Sequence, residues 1–221
     1  MVIRILQYIS VFLALLVILP VHEFAHAFVA VKSGDVTPKL YGRYTLNPLA
    51  HFDPIGLICL IFAHFGWAKP VPVNPNNFKH RTLDSFLVAI AGVFANYVIA
   101  FIAYPLLILD IRYVPDFYYF TDVLYYTLYF LFYIILSLTV FNLLPIYPLD
   151  GFRVVDTFVK RPNRAYYFYK KYAQYLLFAF IVWGVVADYA ELPQFDYLGI
   201  AISYLVDKIS IPITAFWGLI F

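Results

Sequence analysis

Charge is scarce in this chain. Lys, Arg, Asp and Glu make up 13% of its 221 residues, where a soluble domain of this size carries roughly 25%. The single cysteine, Cys59, excludes an internal disulfide framework and any multi-cysteine metal cluster, although it leaves the redox compartment undecided. A net charge of +2 is too small to point to nucleic acid. Internal repeats and polar low-complexity tracts are absent too, so the chain reads as one domain over 1–221, with a core at 5–159 and C-terminal helices at 165–221. Apolar residues take the place of charge: 64% of the chain is hydrophobic and 21% aromatic, with a mean hydropathy of +0.81. The many Tyr and Phe rings suit lipid-facing surfaces and the headgroup belts of a bilayer.

Runs near the ~20 residues needed to cross a bilayer lie at 5–31, 85–109, 117–144 and 165–187. A further run, 197–221, is interrupted by Asp207, Lys208 and Pro212. It either spans as a broken helix or lies at the interface. Between the first two spans, 55–68 is apolar but only about 14 residues long, short for a crossing and suited to a re-entrant element. The expected fold is therefore an all-α polytopic membrane protein of about five transmembrane helices, with a short re-entrant element between the first two.

The charges bear on the re-entrant reading. Twelve of the 15 Lys and Arg fall in three places: Lys32, Lys39 and Arg43 before the short segment; Lys69, Lys79 and Arg81 after it; and Arg153, Lys160, Arg161, Arg164, Lys170 and Lys171 later. If 55–68 dips in and returns, all three face the cytoplasm, as the positive-inside rule asks. The first helix then runs inward from an external N-terminus. Arg4, the apolar stretch after it and Ala25-His26-Ala27 imitate a signal peptide, but the stretch is long and Glu23 lies just before the small-residue pattern, which argues against cleavage.

Within that first span sits His22-Glu23-Phe24-Ala25-His26. A carboxylate and two imidazoles are costly in hydrocarbon, so their presence asks for a function or a buried partner. His22 and His26, four apart, project from one helix face about a turn apart, a spacing that lets two imidazole nitrogens meet one zinc. Glu23 stands beside them, placed to take a proton from water without ligating the metal. At 1.5 Å per residue the histidines lie roughly 9 to 15 Å along the helix from Lys32, below the surface but within reach of water. The plain alternative is a set of polar residues joining two helices.

A catalytic zinc usually has three protein ligands and one open position. Asp150 is the best third donor, because Pro145 and Pro148 break the helix before it and free side chains to turn inward. The plainer alternative, taken alone, is an N-cap on the segment that follows, 151–159. His51 and Asp53, flanked by Pro48 and Pro54, either support a ligand from behind or line a substrate entrance, and a histidine beside an Asp-Pro turn is often only structural. His64 has no partner in view, and His80, between Lys79 and Arg81, reads as a solvated surface residue.

The HEFAH sequence on a membrane helix, followed about 120 residues later by Asn142-Leu143-Leu144-Pro145-Ile146-Tyr147-Pro148-Leu149-Asp150-Gly151, resembles the site-2 protease family of intramembrane zinc metalloproteases. Gly42-Arg43-Tyr44-Thr45-Leu46-Asn47-Pro48, His51-Phe52-Asp53-Pro54-Ile55-Gly56 and Phe65-Gly66-Trp67-Ala68-Lys69-Pro70-Val71-Pro72-Val73-Asn74-Pro75 resemble its compact prokaryotic branch without a PDZ domain. The resemblance covers 15–159. It implies His22, His26 and Asp150 as ligands of one zinc per chain, Glu23 as general base, and Asn142 as the group that steadies the substrate carbonyl or its oxyanion. Val93 stands where relatives often have proline, and Gly92 and Asn96 read as close helix packing with a polar contact.

The expected function is zinc-dependent hydrolysis of a peptide bond in or near a transmembrane helix of a substrate membrane protein. The expected setting is multi-pass in the plasma membrane, with the bilayer as surroundings and the site toward the cytoplasm. A non-catalytic protein with a structural metal site, or a metal carrier, is the competing class. Glu23 discriminates, since neither gains anything obvious from an unligated carboxylate beside the metal.

Overall fold

The computed structural model describes residues 2–63, 66–115 and 119–221; His64 and the start of the expected third span lie outside them. The elements are α1 (Val2–Lys32), α2 (Thr37–Leu40), α3 (Pro48–His51), α4 (Pro54–Ala63), α5 (Arg81–Tyr113), α6 (Tyr119–Leu143), α7 (Asp150–Phe158), α8 (Arg164–Tyr189) and α9 (Tyr197–Gly218). Among the described residues five helices, α1, α5, α6, α8 and α9, are long and apolar enough to cross a membrane. No named strand occurs among these residues. Hydrocarbon offers backbone groups no partners, so long apolar runs of this kind satisfy them within a helix.

The core lies where α1, α5, α6 and α9 meet. Ala14 and Ile18 of α1, Ala100 and Ala103 of α5, Phe132, Ile135, Leu136 and Val140 of α6, and Val206 and Ile213 of α9 form one buried cluster. Alanines on α1 and α5 let the backbones approach, and the large α6 side chains fill the space they leave. Ser10 Oγ donates to the Val123 carbonyl at 3.2 Å.

The last helix runs from Tyr197 to Gly218 without a break, through Asp207, Lys208 and Pro212, where the sequence left a broken or interfacial segment equally open. Two hydrogen bonds tie it to α5. Pro105 has no N–H, so the Phe101 carbonyl four residues earlier lacks its usual helical donor; the Trp217 indole N–H supplies one at 2.9 Å. Tyr97 donates to the Ile209 carbonyl at 3.2 Å, beside Pro212. A proline in a membrane helix is tolerated where a neighbour takes up the freed carbonyl, and at Pro105 the Trp217 indole meets that condition.

The short apolar segment leaves and comes back. Phe52 pairs with Ala68 in an antiparallel bridge, and Lys69 N–H donates to the His51 carbonyl at 2.7 Å, so 52 and 68 are neighbours despite α4 between them. The basic residues before and after it thus gather at one end of the bundle, where α1 ends and α5 begins. Residues 69–74 then run as a non-helical strap back across α1.

Asp35 is the anchor of that strap. Gly34, at a φ of 110° that favours glycine, ends α1 with Asp35 N–H donating to the Ala30 carbonyl at 3.0 Å. The Asp35 side chain, fully buried, accepts from Thr37 N–H at 3.1 Å, Asn74 N–H at 2.7 Å and Asn77 Nδ2 at 2.8 Å. Burial would raise its carboxyl, but bonds from Thr37, Asn74 and Asn77 outweigh this and hold it below the ordinary value of 3.8. A carboxyl lowered on folding stabilises the fold above its unfolded pKa, and that contribution is lost as pH falls through the folded value. Asp35→Asn should therefore lower the melting temperature in detergent at pH 7 by about 2–6 °C, and the difference from the parent should shrink below about pH 4.

Candidate metal centre

His22 and His26 point from the inner part of α1 toward α5 and α7. Both are buried, as is Asp150. Their donor atoms converge: His22 Nε2 and His26 Nε2 are 3.1 Å apart, and Asp150 Oδ2 lies 3.2 Å from the first and 3.1 Å from the second. The three form the candidate metal-holding group among the described residues.

The protonation pattern tests whether a metal fits. His26 Nδ1 lies 2.6 Å from the Val88 carbonyl oxygen, which can only accept, so Nδ1 carries the hydrogen and Nε2 of the neutral ring turns its lone pair inward. Lone pairs and a carboxylate oxygen facing one another at 3.1–3.2 Å repel unless a cation or proton lies among them. Tetrahedral zinc with bonds of about 2.0–2.1 Å spaces its ligand atoms about 3.4 Å apart, close to this triangle, and three donors leave one position open. The donor set of two imidazoles and one carboxylate fits zinc.

Asp150 reaches the histidines because the chain turns sharply after α6. Pro145 and Pro148 stop helix continuation, and turn hydrogen bonds run from Ile146 N–H to the Leu144 carbonyl and from Leu149 N–H to Ile146, each 2.8 Å. Asp150 is the first residue of α7 and Leu149 its cap, so the carboxylate faces the imidazoles instead of capping the helix. Arg153, 3.7 Å away, lies by the other oxygen, Oδ1.

Two glycines permit these approaches. A Cβ built on Gly92 of α5 would fall on His26 Nε2 and His22 Cε1; one on Gly151 would fall on the Leu143 and Leu144 carbonyls. The sequence reading placed Gly92 in helix packing but not against the ligands themselves. Asn96, one turn further along α5, is fully buried, and among the described residues neither of its amide atoms nor His22 Nδ1 has a hydrogen-bond partner.

The first turns of α8 brace the Asp150 segment. Tyr169 donates to the Pro145 carbonyl at 2.6 Å. Lys170 Nζ sits over the rings of Phe152, Tyr147 and Tyr166 at 5.5, 5.8 and 5.8 Å, a cation–π cage. Nothing in the sequence marked Tyr169 or Lys170, because a brace of this kind has no spacing rule.

Glu23 is half-buried on the same turn of α1 as His22. Its Oε2 accepts from Val71 N–H at 3.0 Å. Asn142, in the last turn of α6, donates Nδ2 to the Leu138 carbonyl at 3.0 Å. His51 and Asp53 do not join the three donors. The His51 ring is fully buried with Nε2 at 2.8 Å from the Thr45 carbonyl, and Asp53 accepts from Ile55 N–H and Gly56 N–H at 3.0 and 2.9 Å at the start of α4. His80 precedes α5, where its N–H donates to Asp84 at 2.7 Å.

A polytopic helical membrane protein with an H-E-x-x-H helix and a distant aspartate closing on it falls in the class of membrane-embedded metallopeptidases. Comparison with known proteins agrees: the profile of peptidase family M50 matches residues 118–184, the stretch that carries Asp150. A Bacillus subtilis (strain 168) protein described as "Putative zinc metalloprotease YwhC" is 42% identical over 177 residues, 79% of this chain and 78% of that one. Rip2 of Mycobacterium tuberculosis (strain ATCC 25618 / H37Rv), which carries the same description, is 34% identical over 145 residues, 64% of this chain and 54% of its own. Rip2 of Mycolicibacterium smegmatis is 37% identical over 106 residues, 44% of this chain and 41% of its own. No solved structure matches significantly. The chain belongs to peptidase family M50, the site-2 protease family.

Proposed function

We propose that this protein hydrolyses peptide bonds in or near the transmembrane segments of other membrane proteins, as a single domain using one zinc ion per chain. The observation that carries the reading is the convergence of His22 Nε2, His26 Nε2 and Asp150 Oδ2 below the end of an apolar helix, with the carboxylate of Glu23 on the adjacent position. Its relatives' descriptions as zinc metalloproteases support it.

When bound, zinc supplies a Lewis acid for the scissile carbonyl and acidifies a water molecule. His22, His26 and Asp150 would hold it, with His26 oriented by the Val88 carbonyl. Glu23 accepts the proton of the attacking water and passes one to the leaving amine. Asn142 steadies the carbonyl oxygen as negative charge develops, once its amide leaves the Leu138 carbonyl. A helical substrate hides its carbonyls in hydrogen bonds and must unwind locally; within 55–73, Pro54–Ala63 is helical and cannot add a strand, which leaves the extended residues 69–73 to hold the opened backbone. The basic residues gathered at the α1–α5 end orient that end to the cytoplasm, with the plasma membrane around the five spans.

Glu23 favours an enzyme over a structural metal site or a carrier. The test is metal removal from protein reconstituted with a single-span substrate. A zinc chelator should stop cleavage, and added zinc should restore it. Cleavage at the parent rate by protein shown to be metal-free would sink the reading.

A further inference from the structure

The strap Lys69-Pro70-Val71-Pro72-Val73-Asn74-Pro75 has three prolines in seven residues, so main-chain N–H groups are few. Proline has none to give. Lys69 N–H donates to the His51 carbonyl at 2.7 Å, and Asn74 N–H to Asp35 Oδ2 at 2.7 Å. Both ends are thereby fixed to the loops around α1. Between them, Val71 is buried, and its N–H donates to Glu23 Oε2 at 3.0 Å. Pro70 and Pro72 restrict the backbone on either side, so this donor is held in place before any substrate arrives.

We propose that the main-chain N–H of Val71 is a positioning donor for Glu23. It holds one carboxylate oxygen and leaves the other to handle protons. A glutamate side chain has several rotatable bonds, and a fixed charge-assisted hydrogen bond removes the wrong rotamers before the reaction. The strap is built for this: Asp35 and His51 set its ends, and the two prolines leave Val71 as the donor between them. The inference rests on Glu23 acting as general base.

Three variants test it. Val71→Pro deletes the N–H but keeps an extended backbone, and an amide-to-ester replacement at Val71, made with the matching hydroxy acid, deletes it without adding a ring. Val71→Ala keeps the N–H and removes most of the buried side chain. Both donor-less forms should lose kcat by about ten- to a hundred-fold with KM and zinc content unchanged, while Val71→Ala should lose clearly less than either.

A readout free of turnover is available because the chain has only two glutamates, Glu23 and Glu191. In a Glu191→Gln background with carbon-13 glutamate, the infrared carboxylate stretch of Glu23 should shift in the ester form and not in Val71→Ala, even without metal. Parental or raised kcat in the ester form, or an unshifted stretch, would overturn the proposal, as would an equal loss in Val71→Ala. If Val71→Pro fails to fold, the ester form decides alone. Glu23→Gln separates the two readings. A fully active Glu23→Gln removes the general base itself, whereas an inactive Glu23→Gln beside a fully active ester form removes only the role of Val71.

Discussion

Glu23→Gln should leave zinc bound and slow peptide hydrolysis by about a hundred- to ten-thousand-fold. Glutamine has the same shape, and its amide oxygen can still accept from Val71 N–H, now 3.0 Å from Glu23. The three donors His22, His26 and Asp150 are untouched. What is lost is a group able to carry a proton between the attacking water and the leaving amine. His22→Ala or Asp150→Ala should instead weaken zinc binding and cleavage together, since each removes a donor. Zinc content by elemental analysis, measured beside the cleavage rate in liposomes, distinguishes the two outcomes. Processing at the parent rate by Glu23→Gln would contradict the general-base role.

Gly92→Ala should weaken zinc binding at the site while leaving the membrane fold intact. In an ordinary helix this change stabilises by roughly 0.5–1 kcal/mol, because glycine is a poor helix former. Here the sign reverses. The added Cβ falls on His26 Nε2 and His22 Cε1, so α5 has to move from α1 or the imidazoles have to leave their positions. Overpacking of this kind costs about 1–3 kcal/mol, which lowers zinc affinity by about ten- to a hundred-fold when it falls on the zinc-bound state. Gly218→Ala is the matched control, at a glycine whose Cβ would meet nothing within 4 Å. Zinc titration of both variants, with helical content followed by circular dichroism, gives the result. A Gly92→Ala protein that bound zinc like the parent would mean that α5 does not lie against the ligands.

Most of the fold was legible in the sequence because the bilayer enforces it. The expected runs 5–31, 85–109 and 165–187 correspond to α1, α5 and α8, each helix starting or ending within a few residues of the run, since polar residues mark where hydrocarbon stops. The C-terminal run was ambiguous for a local reason: a proline and two charges look like a break. What fixes it against the bundle lies elsewhere in the chain, with Trp217 reaching the Phe101 carbonyl and Tyr97 the Ile209 carbonyl. The site divides in the same way. His22, Glu23 and His26 share one helical turn and were readable from their spacing. The Gly92 cradle, the Val88 carbonyl, the Lys170 cage and the Asp35 anchor were not, because each is a contact between residues far apart in the chain.

Composition and local period determined, without any help from packing, that this chain is a bundle of membrane helices carrying two imidazoles and a carboxylate on one of them. Those are properties of neighbours: the backbone must satisfy itself in hydrocarbon, and residues four apart must share a face. Only the tertiary structure decided that Asp150, 124 residues beyond His26, closes the triangle, and that a proline-rich strap delivers an amide to Glu23. Such meetings depend on how α5, α6 and α7 pack and on where a side chain is missing. A one-dimensional pattern does not encode that information.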